Sequence, residues 1–332
     1  MTLSHEDIEF YIEMTSDEDI ANQRDAYREL SDYLYSVMQS NPIVLLEEQT
    51  EALVRGLSSP DDEIRYLSFG TLYDLEVECR AETDYHYIVE KLEDSDERNR
   101  ITALRWMGQC QLESDIEKVL ELIKNTDESD KIRMEALKAL RYQCRFQNDL
   151  SKQVLYLLKD AFRIVNQILL DSSPSVRAMA TVTMSSLIQA PQAYFKSSLD
   201  IQAKKRQAAI DTMLDMLNDP HEEVRFQTAA AIAYLHEEVL MQHIVPLLND
   251  ESTRVIRSVC HVIGYVKYQP AVPLLILMLD SDDVQIRLSA LGALNQLLSK
   301  KKMQPYLEKA LEDESYSISH YARDALGIRR DI

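Results

Sequence analysis

An all-α, right-handed solenoid of about eight to nine stacked helical hairpins is predicted by three observations. A phrase that is clearest at residues 217–235 (LNDPHEEVRFQTAAAIAYL) recurs along most of the 332 residues. Its apolar positions stay in phase from copy to copy. Hydrophobic residues make up 45% of the chain, enough for a continuous core, while six glycines are too few for a turn-rich sheet or a nucleotide-binding α/β fold.

The phrase is a helix start followed by a buried stripe. Asp219 suits a cap, and Pro220 fits a first turn, where its missing N–H costs nothing. Glu222 and Glu223 favour the electropositive helix start. Val224, Thr228, Ile232 and Leu235 follow the three-and-four spacing of a buried helical face.

Aligned on the residue equivalent to Arg225, the copies are anchored at Arg65, Arg100, Arg133, Arg177, Arg225, Ile256, Arg287 and Ser319. The spacings are 35, 33, 44, 48, 31, 31 and 32 residues, mostly those of helical-hairpin repeats. Seven residues after each anchor stand Leu72, Met107, Leu140, Met184, Ile232, Ile263, Leu294 and Leu326, all apolar. The residue before it is apolar except at Asn99. Three residues after it come mostly small side chains, from Ser68 and Ala103 to Ala322, which allow close helix approach.

A second amphipathic segment precedes each anchor helix, for example at residues 43–57, 116–123, 207–217 and 303–311. One such pair cannot bury both apolar faces, so the pairs must stack into an array. The array spans residues 43–332. Residues 147–170 read as a lengthened first helix, and residues near 190–205 as an excursion between repeats. Residues 1–42 read as an acidic capping segment, with a degenerate repeat at 17–37 anchored on Arg24.

Charge is distributed unevenly. Residues 1–100 hold 26 acidic and 8 basic side chains, out of 56 and 36 in the whole chain. Extended contact with nucleic-acid backbone needs a basic stripe and is disfavoured. No basic n-region or apolar h-region opens the chain, and no apolar run is long enough to span a bilayer. The four cysteines, Cys79, Cys110, Cys144 and Cys260, are scattered, with Cys110 and Cys260 on buried stripes, which suggests reduced core thiols. A soluble, cytoplasmic protein is expected.

These residues resemble the HEAT repeat, in the short form known from phycobilisome lyases and related proteins, over roughly residues 43–328. The resemblance rests on an Asp six residues before the Arg: Asp94/Arg100, Asp127/Arg133, Asp171/Arg177 and Asp219/Arg225. In that family the pair helps build a structural ladder along the stacked turns. Ser59 and Ser281 stand where Asp would precede Arg65 and Arg287, while Asp250 faces Ile256 and Asp313 faces Ser319. The resemblance therefore implies a ladder interrupted toward the C-terminus.

No catalytic motif is assembled: glycine-rich phosphate loop, GxSxG elbow and HExxH are all absent. Deoxyhypusine hydroxylase, a relative built from short HEAT repeats, holds two irons with His-Glu motifs recurring at equivalent sites. Here His5-Glu6, His221-Glu222 and His236-Glu237 occupy non-equivalent positions. No metal, cofactor or catalytic residue is expected. His261 and His320 are placed to line a groove. Trp106, on an anchor helix, is expected to pack between repeats.

In the family, anchor helices line the concave side and expose positions about one, two, five and nine residues after the anchor. Large apolar or aromatic residues fill those slots at Tyr66, Leu67, Ile101, Met134, Tyr142, Met179, Phe226, Tyr234, Tyr265, Leu288 and Tyr321. Exposed helical slots are ordinarily polar. These residues predict a groove for a partner's helix or extended segment. Asp61, Asp62 and Glu63 are expected to steer a basic protein partner toward it. The expected function is a non-catalytic scaffold or adaptor, an inhibitor or immunity-type protein being one form. A phycobilin lyase-like enzyme subunit or chromophore-handling chaperone is the alternative that the resemblance leaves open.

Overall fold

The computed structural model describes residues 5–38, 47–74, 88–110, 116–145, 152–189 and 199–328, and those residues are helices and turns, with no strand among them. The chain divides into two compact units, Met1–Asp149 and Leu150–Ile332.

The first unit opens with α1 (His5–Met14) and α2 (Ile20–Met38). Next come α3 (Glu47–Gly56) and α4 (Asp62–Asp74). A short turn at Lys91–Glu93 leads into α5 (Glu97–Cys110), and α6 (Ile116–Lys124) pairs with α7 (Asp130–Arg145). α1 packs against α2, and Arg24 lies on α2. At Gly56 the two helices of a hairpin approach so closely that a Cβ would overlap Ser68.

The second unit begins with α8 (Lys152–Ile168) and α9 (Pro174–Gln189). It continues with α10 (Leu199–Asp215), α11 (Glu222–Ala233), the short α12 (Met241–Ile244) and α13 (Thr253–Tyr265). It closes with α14 (Val272–Met278), α15 (Val284–Leu297), α16 (Lys300–Ala310) and α17 (Tyr316–Leu326). Of the expected excursion near 190–205, residues 199–205 belong to the first turns of α10, and residues 190–198 lie outside the described residues.

The three sequence columns are the core. Three residues after each anchor, Ser68, Ala103, Ala136, Ala180, Thr228, Val259, Ala290 and Ala322 are all buried. Small side chains there let successive anchor helices pack directly on one another, as α11, α13 and α15 do. Seven residues after the anchor, Met107, Leu140, Met184, Ile263 and Leu294 are fully buried, each contributing about 1.5–3 kcal/mol by transfer from water. Helix starts are capped where the sequence offers an acceptor: Asp283 takes the Gln285 and Ile286 amides, and Ser252 takes that of Val255.

Trp106 is buried and stacks on Phe69 at 5.1 Å, with Tyr73 edge-on at 6.1 Å. It packs α5 against α4, as expected. Cys260 is buried and free, and burial pushes its thiol up to about 12, which makes it inert. Cys79 and the side chains of Cys110 and Cys144 lie outside the described residues. No helix among the described residues is long and apolar enough to cross a membrane.

Candidate protein-binding face

The turns between helices are tied together by arginines, in a register that differs from the one the sequence suggests. Arg225 donates from Nη1 to the Asp219 carbonyl, 2.8 Å away, six residues back. Its Nε and Nη2 reach forward to both oxygens of Asp250, on the turn of the following repeat, at 2.8 Å each. The same double contact joins Arg177 to Asp219, Arg65 to Asp94 and Arg287 to Asp313, at 2.8–3.0 Å. What an arginine needs six residues back is only a carbonyl, which Ser59 and Ser281 supply as well as any aspartate. Asp250 and Asp313, which the sequence sets against Ile256 and Ser319, therefore have arginine partners in the preceding repeat.

Each of these carboxylates also accepts the amide two residues on: Asp94 from Asp96, Asp219 from His221, Asp250 from Ser252 and Asp313 from Ser315, as Asp171 does from Ser173. Burial alone would raise Asp219 and Asp250. The arginine and amide bonds outweigh it and hold both below the usual carboxylate range. Asp94 is lowered in the same way, and Asp313 is lowered chiefly by Arg287. One position departs: Arg100 reaches Glu128 at 3.2 Å while Asp127 is exposed. Arg133 donates to the Ile123 carbonyl at 3.2 Å.

Asp61, Asp62 and Glu63 are occupied within the fold. Asp61 accepts from Arg24 and caps α4 through the Glu63 and Ile64 amides, 3.0 Å each. Asp62 pairs with Arg65, and Glu63 with Arg28 at 2.7 Å. Arg24 and Arg28 thus tie Asp61 and Glu63 to the first hairpin, while Arg65 is shared between Asp62 and Asp94.

None of the eleven apolar or aromatic slot residues is buried. In the first unit Tyr66 lies under Arg98 at 4.3 Å, Leu67, Ile101 and Met134 are half-buried, and Tyr142 is exposed. In the second unit Met179, Phe226, Leu288 and Tyr321 are half-buried. Tyr234 and Tyr265 are 46% and 51% exposed, their rings edge-to-face at 5.7 Å, with the His236 ring 6.3 Å from that of Tyr265. Arg254 covers Phe226 at 4.6 Å, and Asn295 donates to the Tyr321 hydroxyl at 3.1 Å. The two tyrosines end α11 and α13, nine residues after their anchors, so equivalent slots of adjacent repeats meet in space.

The basic members of this face were less legible. Arg257 and Lys267 are exposed on the repeat of Tyr265, and His261 sits between Arg257 and Tyr265 on α13. Their signal was their spacing from the anchor, which polar residues share with apolar ones. Among the described residues no group of three His, Cys, Asp or Glu side chains is placed to hold a metal ion. The side chains of His5 and Glu6 lie outside the described residues.

Residues 241–327 match the sequence family described as HEAT repeats. The chain carries HEAT repeats. Its fold is that of HEAT and armadillo-like solenoids. It is similar over most of its length to solved structures that share little sequence. The Escherichia coli protein YibA is 17% identical, with 95% of this chain and 100% of that one covered and a TM-score of 0.53. Kap95p in its complex with RanGDP is 14% identical, with 98% of this chain and 47% of that one covered and a TM-score of 0.65. Kap95 in its complex with Nup1 gives 14%, 95%, 45% and 0.63. Among curated proteins, the phycocyanin operon protein Z of Pseudanabaena tenuis is 27% identical over 104 residues, 31% of this chain. The matched region spans about half of that relative, 52% of its length.

Proposed function

We propose that this HEAT-repeat chain is a non-catalytic scaffold or adaptor that grips a protein partner along its anchor-helix face, acting in the cytoplasm, where thiols such as Cys260 stay reduced. The observation that carries this reading is the exposed Tyr234–Tyr265 pair, two large rings held together on helices whose opposite sides are core. Aromatic side chains exposed in this way are typical anchors of protein interfaces. The Kap95 structures support the reading, since each holds a solenoid of this fold with a protein partner, RanGDP or Nup1.

Residues 1–149 hold 35 acidic and 16 basic side chains, whereas residues 150–332 hold 21 and 20. The first unit therefore favours a basic surface on the partner. An inhibitor or immunity-type protein is the specific form in which that partner is a basic toxin. Affinity purification from the source cell tests the proposal. A partner recovered with the parent chain and lost with the Tyr234→Ala, Tyr265→Ala double variant is the expected result. Equal recovery by both would refute it.

The likeness to phycocyanin operon protein Z favours one second reading, a lyase-like subunit or chromophore-handling chaperone. Its test is direct: mixing the chain with a phycobiliprotein subunit and free bilin would speed appearance of the attached chromophore's absorbance. No acceleration would dismiss it.

A further inference from the structure

The exposed stripe of α13 is basic as well as aromatic. Arg257, His261 and Tyr265 follow one another at four-residue intervals and so lie on one side of the helix, and all three are exposed. The corresponding positions are Phe226, Ala230 and Tyr234 along α11 and its C-cap, and Leu288, Gly292 and Gln296 on α15. His261 is therefore flanked by two of the smallest side chains, and a Cβ at Gly292 would meet only the Tyr321 hydroxyl, 4.0 Å away. In the middle of the face the exposed His261 side chain stands between these low neighbours. Tyr234 and Tyr265 stand at one end and Phe226, Arg254 and Arg257 at the other.

The charges on this face are not balanced. Its acids are already engaged: Glu223 with Arg254, Glu222 with Ser252, Asp283 with Thr253 and the start of α15, and Asp324 with His320. Among the described residues Arg257, His261 and Lys267 have no hydrogen-bonded or ion-paired partner, Asp283 acting on Arg257 only through space. Lys267 is held with φ at 57°, and His236, its equivalent one repeat earlier, with φ at 57°. Both follow the helix end in the left-handed conformation that usually falls to glycine, and both project a nitrogen-bearing side chain where none is needed for the turn.

We infer that this face receives an acidic, extended peptide segment of the partner, its carboxylates paired with Arg257 and Lys267 and an apolar side chain set against Tyr234 and Tyr265. The inference rests on the proposed scaffold function and specifies its partner at this unit. It also separates the two units by chemistry: the first unit attracts positive charge, and this face attracts negative charge.

Fluorescence anisotropy on the full chain provides the test, with three labelled peptides of equal length that each carry one central tyrosine. One is rich in glutamate, one in lysine and one in serine. The glutamate peptide should bind most tightly, and Arg257→Glu with Lys267→Glu should weaken it about tenfold, in proportion to two lost charge contacts. The control Lys300→Glu should leave its affinity unchanged. If the lysine or serine peptide binds as well and depends on Tyr234 and Tyr265, the scaffold reading stands and the acidic assignment fails. If no peptide binds, both fail. Tighter binding of an oligouridylate, or a dimer that the same two substitutions dissociate, would assign the face to nucleic acid or to a second copy and overturn the inference.

Discussion

Arg225 and Asp250 form a two-bond pair between the turns of consecutive repeats, 2.8 Å at each contact, with only 9% and 5% of their side chains exposed. The guanidinium spends its third donor on the Asp219 carbonyl, so one side chain fixes two turns at once. Removing either partner leaves a buried charge uncompensated. Asp250→Ala should therefore destabilise the protein by about 1.5–3 kcal/mol. Chemical denaturation of Asp250→Ala, Arg225→Ala and the double variant checks this. The double should cost much less than the sum of the singles.

The same ladder predicts acid sensitivity. Asp94, Asp219, Asp250 and Asp313 all have folded-state values below those of the unfolded chain. Their contribution is complete above about pH 4, the unfolded carboxylate range, and is lost as pH falls through the lowered values. Stability followed by circular dichroism should be flat in this respect from pH 7 to 5 and fall steeply below about 4. Asp250→Asn should start lower and fall less. A slope unchanged by that substitution would remove Asp250 from the account.

One repeat has neither half of its rung. Ile256 occupies the arginine position, and Ser281 stands where the next turn would offer aspartate. This joint loss follows from the pairing geometry, because an arginine at 256 would reach for position 281. Ile256→Arg alone should destabilise, Ile256 being 7% exposed. Adding Ser281→Asp should recover at least part of the loss, and the double-mutant cycle should show favourable coupling of about 1 kcal/mol. Additive effects would contradict the forward pairing.

The architecture was legible in the sequence because burial is periodic. The columns three and seven residues after the anchor state which side of each helix faces inward. The ladder was half legible. Arginine and aspartate stood out, but the nearest pair in sequence is six residues apart, and the pair that forms spans 25 to 42 residues and joins different turns. Asp61, Asp62 and Glu63 read as free charge because the arginines that engage two of them, Arg24 and Arg28, belong to a segment whose repeat is degenerate. On the candidate face, attention to apolar slots found Tyr234 and Tyr265 and passed over Arg257 and Lys267, since exposed basic residues on a helix are unremarkable by composition alone.

Asp61 also carries a stability prediction. Asp61→Ala should loosen the first hairpin by removing both the Arg24 contact and the cap of α4. Limited proteolysis or hydrogen exchange should show faster opening of residues 5–38 than in the parent. Equal exchange would mean that the pair holds nothing together.

The claim that the anchor-helix face of the second unit is the binding surface is tested most directly by the dissociation rate of the purified native partner. Surface-binding kinetics would compare the parent chain with Tyr234→Ala plus Tyr265→Ala. Leu277→Ala, at a 70% exposed leucine of α14 outside these slots, serves as control. Loss of two central aromatic anchors should accelerate dissociation about tenfold or more, at low and high salt alike, with little change in association. The control should behave as the parent. A double variant that releases the partner no faster than the parent, while remaining equally folded, would contradict the account.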